Sequence, residues 1–301
     1  MHNTITKYLD NWQVITDIQC ELGEGPLWDY FQRLLYWIDI TQQYIHWYDA
    51  YTGQRDCIRV PQRIGTIALT NQPFVLLAAL KHGFYEIDLK KQAFKPIHDP
   101  ESDLVANRFN DGKIDPFGNF VAGTMDEVKN TKEAGGLYRL KPNFQVEKLL
   151  DNVSCANGLC WSHDHTKFFF IDTGIRSLFS FDYDIEGLKN QSLIYKFSDN
   201  EGIPDGMTID TEGKLWIALW NGAKVIRLDP EVRKILLEIK LPVTRVTSCT
   251  FGGPNLNNLY ITTAKIGLSE DELKAQPLAG STFVINNMPY SGHLSTVFQL
   301  Q

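Results

Sequence analysis

Glu24, Asp111, Asn157 and Asp205 each stand immediately before a glycine, in the stretches ELGEGPLWD, NDGKID, CANGLC and IPDGMT of a 301-residue chain. Taken singly, Asp, Asn and Glu beside glycine are ordinary turn residues that bond their own backbone. They acquire another meaning if they share one phase of a repeat, because equivalent side chains of a cyclic fold converge on its axis. A ring of carboxylate and amide oxygens suits a hard divalent cation such as Ca²⁺, Mg²⁺ or Mn²⁺, and carboxylates with water also accept Zn²⁺. Glycine beside each ligand lets the backbone pass close to that axis.

Other chemistries fit the sequence less well. Gly23 and Gly25 have the spacing that opens a dinucleotide fingerprint, but position 28 holds Trp28 instead of the third glycine, and Pro26 with the following strand-like run denies a phosphate-binding helix. The five cysteines, at 20, 57, 155, 160 and 249, include no CxxC pair, so they predict buried free thiols. No GxSxG elbow and no HExxH helix occurs. His163 and His165 fall where the other repeats have a polar turn, which predicts a solvated hairpin and no metal.

The elements that would position a ring of ligands are strands. Short runs such as RLLYWIDI, KFFFIDT, KLWIALW and NLYITTA are rich in aromatic and branched residues and bounded by Gly, Asp, Asn or Pro. Six units of similar phrasing begin at 24, 64, 111, 157, 205 and 247, between 40 and 48 residues apart. A unit of that length is one four-stranded blade, so the spacing predicts an all-β, six-bladed β-propeller over residues 1–301, as a single domain. The residues at the shared phase are Glu24, Ile64, Asp111, Asn157, Asp205 and Thr247. Strands at 12–19 and 281–287 are expected to close the ring. Ser269 is placed to cap a short helix in LSEDELKA. Trp28, Trp37, Trp161, Trp216 and Trp220 are expected to pack between blades. The charged segment 126–136 is either a surface loop or a lid.

A net charge of -7 without basic runs argues against a nucleic-acid partner. The start MHNTITKYLDNW lacks the features of a secretory signal, and no stretch approaches 18 apolar residues, so a soluble, cytoplasmic protein without a membrane partner is expected.

The phrases GEGPLWD, NRFNDGKIDPFGNFVAGTM, NGLCWSHDHTKFFFIDT, IPDGMTIDTEGKLWIALWNGAKVIRLDP, TSCTFGGPNLNNLYIT and QPLAGS strongly resemble, in order, those of the gluconolactonase family, also called the senescence marker protein or regucalcin family. The resemblance implies a six-bladed propeller with one divalent metal in the channel mouth, and hydrolysis of sugar lactones to aldonic acids; a monomer or weak dimer is expected. It implies Glu24, Asn157 and Asp205 as metal ligands, with Arg108 and Asn110 contacting the substrate. Family members usually carry an acid three residues after the Met of AGTM. Val128 stands there in this chain, so either Glu127 substitutes or a substrate hydroxyl loses a partner.

Lactone hydrolysis needs a polarised carbonyl, a nucleophilic water and stabilised oxyanion charge, and one divalent cation can serve the first and last of these. Asp205 is the first candidate base and Asp111 the second. Two other readings use the same ring: a calcium-binding propeller with a regulatory role and no turnover, and an enzyme that hydrolyses organophosphates.

Overall fold

The computed structural model describes residues 11–301, which form six four-stranded antiparallel sheets arranged as the blades of a propeller. The chain begins with β1 (Trp12–Val14) and then builds the first blade from β2 (Gly23–Asp29), β3 (Leu34–Asp39), β4 (Tyr44–Asp49) and β5 (Arg55–Arg59). The second follows as β6 (Ile64–Leu69), β7 (Val75–Leu80), β8 (Gly83–Asp88) and β9 (Ala93–His98). The third comprises β10 (Asn107–Ile114), β11 (Phe120–Asp126), β12 (Gly135–Leu140) and β13 (Val146–Val153). The fourth comprises β14 (Ala156–Trp161), β15 (Lys167–Asp172), β16 (Ser177–Asp184) and β17 (Gly187–Lys196). The fifth comprises β18 (Ile203–Ile209), β19 (Leu215–Trp220), β20 (Lys224–Asp229) and β21 (Lys234–Lys240). The sixth takes β22 (Val246–Gly252), β23 (Asn258–Thr263) and β24 (Phe283–Ile285) and is completed by β1.

Both termini therefore supply the closing blade, as the sequence predicts. The paired segments are shorter than expected: Trp12, Gln13 and Val14 face Ile285, Val284 and Phe283. The hydrogen bonds Ile15 N to Thr282 O and Cys20 N to Gly280 O continue the contact beyond the strands. Closure by mixed termini leaves the ring no open seam between the first and last blades.

Burial explains why the strands read as they do. Second strands such as β3 (LLYWID) are buried at every position, because neighbouring blades cover both faces. Outer strands such as β21 (KILLEIK) alternate between exposed and covered residues. Trp37 and Trp216 are fully buried between blades. Asp29, Asp49, Asp88 and Asp229 end strands and accept backbone N–H groups from the turns that follow, which fixes the hairpins. The predicted helix is α1 (Glu270–Ala275), where Ser269 and Glu272 form a reciprocal capping box. All five cysteines are free, but only Cys20, Cys160 and Cys249 are buried, while Cys155 is half-buried and Cys57 exposed.

The innermost strands β2, β6, β10, β14, β18 and β22 contact one another around the axis. Each carries a register break near the shared phase, between Glu24 and Leu27, Ile64 and Thr66, Phe109 and Asp111, Asn157 and Leu159, Pro204 and Met207, and Val246 and Ser248. A bulge re-aims the local side chain, so six of them turn one ring of side chains toward one end of the channel. From the ring at Asp111 the channel opens into a cavity of about 570 Å³ lined by Thr66, Lys113 and Ser248 and bordered at its far end by His163, His165 and His293. The chain after β24 crosses that end, with Gly292 N bonded to Leu256 O and Phe298 N to Leu69 O.

Candidate active site

Four inner strands bring Glu24, Arg108, Asp111, Asn157 and Asp205 to the same end of the channel. Glu24, Arg108, Asn157 and Asp205 are buried, each no more than 8 % exposed. Gly25, at φ +52, sits in the β2 bulge and donates its N–H to Glu24 Oε2 at 2.9 Å. Asp111 repeats the device with Gly112 N at 2.7 Å. A Cβ added to Gly158 would lie 2.6 Å from Asp205 O, so glycine there permits β14 and β18 to approach.

Asn157 is oriented by a residue that sequence reasoning missed. Its Nδ2 donates to Thr173 Oγ1 at 3.0 Å, and Thr173 Oγ1 donates to Pro204 O at 2.7 Å, next to Asp205. With the amide nitrogen so committed, Asn157 Oδ1 is the free oxygen. Thr173 opens a 3₁₀ turn capped by Asp172, whose carboxylate also accepts from Ser154 N and Cys155 N, leading into β14. Asp39 does the same before β2, accepting from Glu21 N and Leu22 N. The IDT and IDI phrases were the signal for these clamps.

Burial pushes the Glu24 carboxyl well above the usual range, and the charges of Asp205 and Asp111 push it further against the Gly25 N–H and Arg108. Asp205 is raised as well, first by burial and then by Asp111, with Asn157 and Arg108 opposing. Burial also lifts Asp111 to about 6 against Lys113 and the Gly112 N–H. Acids crowded in a buried mouth are stabilised by a positive charge among them. The donor set is two carboxylates and one free amide oxygen, which fits a hard divalent cation. Among the described residues no group of three His, Cys, Asp or Glu side chains is arranged to hold a metal.

Arg108 Nη1 donates to Asn110 Oδ1 at 2.7 Å and to Phe109 O at 2.9 Å, and Asn110 Nδ2 donates to Ala156 O at 2.8 Å. Asn110 therefore ties Arg108 to the entry of β14. Glu127 turns inward, with Oε2 3.4 Å from Arg108 Nε and 2.7 Å from Arg63 Nη1, and Oε1 against Lys81. Burial works against its ionisation, but hydrogen bonds from Lys81 and Arg63 hold it below the usual range. Val128 is 66 % exposed. Segment 128–133 lies at the surface, and His163 and His165 occupy an exposed turn. No helix among the described residues is long and apolar enough to cross a membrane.

Residues 22–265 match the family model described as SMP-30/Gluconolactonase/LRE-like region. Regucalcin of Gallus gallus is 41 % identical over 277 residues, covering 90 % of this chain and 92 % of that protein. A solved luciferin-regenerating enzyme superposes with a TM-score of 0.90 at 30 % identity, covering 96 % of this chain and 99 % of its own. Regucalcin from Agrobacterium tumefaciens, described as a calcium-binding protein, also gives 0.90, at 27 % identity and coverage of 95 % and 97 %.

Proposed function

The chain belongs to the SMP-30/gluconolactonase/LRE-like family, and from that premise we propose that it hydrolyses a sugar lactone to the aldonic acid with one divalent cation held by Glu24, Asn157 and Asp205. When bound, such a cation supplies Lewis acidity at the lactone carbonyl and offsets oxyanion charge. The observation that carries the reading is the buried apposition of Glu24 and Asp205 with Asn157 and Arg108 beside them. Asp205 accepts a proton from water as the water oxygen bonds to the carbonyl carbon. The ring C–O bond then breaks and its oxygen leaves as a hydroxyl with a proton returned by Asp205. Asp111, whose charge bears on both Asp205 and Glu24, is the second candidate for that proton. Arg108 remains charged, since burial lowers a guanidinium from a very high starting point. Its fork, fixed by Asn110, orients substrate hydroxyls.

A second reading keeps the cation and removes the turnover. It is supported by the name regucalcin among the relatives and by the description of the Agrobacterium protein as calcium-binding. The buried guanidinium beside the ligands favours the first, because a structural ion needs no adjacent clamp. Chelator-stripped protein assayed on neutral and acidic aldonolactones and an organophosphate ester, with Ca²⁺, Mg²⁺, Mn²⁺ or Zn²⁺ restored singly, separates them. Lactone turnover that returns with metal and is lost in Asp205→Ala is the expected result. Tight cation binding with no turnover on any lactone would overturn it.

A further inference from the structure

On the outer side of Arg108, away from the acids, the cations outnumber the carboxylate they pair with. Arg63 precedes β6, Lys81 sits in the turn between β7 and β8, Arg108 lies on β10, and all three face Glu127 at the end of β11. Three cations surround this one carboxylate, and with Arg108 counted toward Glu24 and Asp205 the outer pair, Arg63 and Lys81, still leaves an excess of one positive charge, in a chain whose net charge is -7. The nearby Asp99 faces His82, 4.0 Å away.

The cluster is graded from buried to open. Side-chain exposure is 8 % for Glu127 and 9 % for Arg108, then 25 % for Lys81 and 45 % for Arg63. The resident carboxylate thus sits at the base, and the surplus charge rises toward solvent. The backbone holds this arrangement, with Lys81 N bonded to Arg63 O at 2.8 Å and Glu127 N to Ala106 O at 3.0 Å. Arg63 uses Nη1 on Glu127, and the rest of its fork suits a second acceptor. Arg108 links this cluster to the acids, because its charge is felt by Glu127 and Arg63 and also by Glu24.

Resting on the lactonase reading above, we propose that Arg63, Lys81 and Arg108 form a subsite for an anionic group on the substrate, a carboxylate or a phosphate remote from the ester. The substrate class is then an acidic sugar lactone. Neutral hydroxyls would leave the surplus donors without a charged acceptor, whereas an anion completes the pairing and fixes the lactone relative to Glu24 and Asp205.

The test compares metal-loaded enzyme on glucono-1,5-lactone, its 6-phosphate, and a glucarolactone carrying a carboxylate instead. At least one acidic lactone is expected to exceed the neutral one by about tenfold in kcat/KM, through KM, with the advantage shrinking as NaCl is raised. The acidic lactone that wins identifies the anion. In Arg63→Gln/Lys81→Gln the ratio of acidic to neutral kcat/KM is expected to fall to about one, while Arg108 still pairs Glu127. Glu127→Gln frees the cations and is expected to raise that ratio. Equal kcat/KM for all three lactones in the wild type, or a preference that the double variant retains, overturns the subsite. If no lactone is hydrolysed, the lactonase reading fails, and equilibrium binding of gluconate 6-phosphate and glucarate against gluconate decides the subsite alone. Tighter binding of either acidic compound that the double variant loses supports it, and equal binding overturns it.

Discussion

Glu24 on β2 and Asp205 on β18 are apposed buried carboxyls in the channel mouth: burial and the charge of Asp205 raise the cost of ionising Glu24, while a hydrogen bond from the Glu24 carboxyl favours ionised Asp205. Without a cation this apposition destabilises the fold at alkaline pH. Asp205→Asn keeps the volume and removes one charge, so metal-free protein is expected to gain about 1 kcal/mol at pH 8 while lactone turnover falls by about 10³ or more. Denaturant unfolding in chelator and a lactone assay read the two effects. A variant less stable than the wild type in chelator would contradict the repulsion.

The same apposition makes the cation a stabiliser. At a free cation concentration of 100 times Kd, the linkage is worth about 2.7 kcal/mol, enough to raise the melting temperature by several degrees. The rise is expected in wild type and lost in Glu24→Gln. Asn157→Asp makes a third carboxylate ligand and is expected to tighten binding of Ca²⁺ further. Melting curves with each cation restored singly would show this, and an undiminished shift in Glu24→Gln would remove Glu24 from the site.

Arg108 is held through Asn110, which in turn holds Ala156 O. Asn110→Ala is therefore expected to act through Arg108, lowering kcat/KM by about tenfold. Arg108→Lys keeps the charge but loses the fork, and an equal or larger loss is expected. If Asn110→Ala is silent while Arg108→Lys is severe, Arg108 is oriented by something other than Asn110.

The repeat, its glycine phase and the strands that close the ring were all legible in the sequence, because each blade repeats the same burial demand. Ser269 was legible as a cap for the same reason, since capping is local. What the sequence hid lies between blades. Thr173 orients Asn157 from a neighbouring turn, and Arg63 and Lys81 reach Glu127 from another blade, so none of them shares the phase of the ligands. Backbone direction after β11 was hidden too, and it turns Glu127 to the cations and Val128 to solvent. The register break common to all six inner strands was also invisible, although the glycines near it were not.

His46 on β4 supplies a test of the fold that is independent of the site. Its ring stacks on Trp37 at 5.2 Å and on Tyr44 at 5.7 Å, and Nδ1 has no hydrogen-bond partner among the described residues. Burial lowers its pKa from 6.5 to about 4, with the charge of Asp39 opposing. The unfolded chain therefore takes up this proton between pH 6.5 and about 4 while the folded chain does not. Stability from this group is complete above pH 6.5, falls as pH drops through that window and levels off below about 4, a loss on the order of 3 kcal/mol. Glu24, Asp111 and Asp205 have raised pKa values and shift stability in the opposite direction as pH falls, so wild type alone shows only the sum. The difference between wild type and His46→Phe isolates the histidine, because phenylalanine keeps the stack and cannot titrate. Unfolding free energies measured from pH 7.5 to 4 are expected to diverge in favour of the variant as pH falls. Parallel curves would mean that His46 already carries a proton in the folded protein, or is open to water.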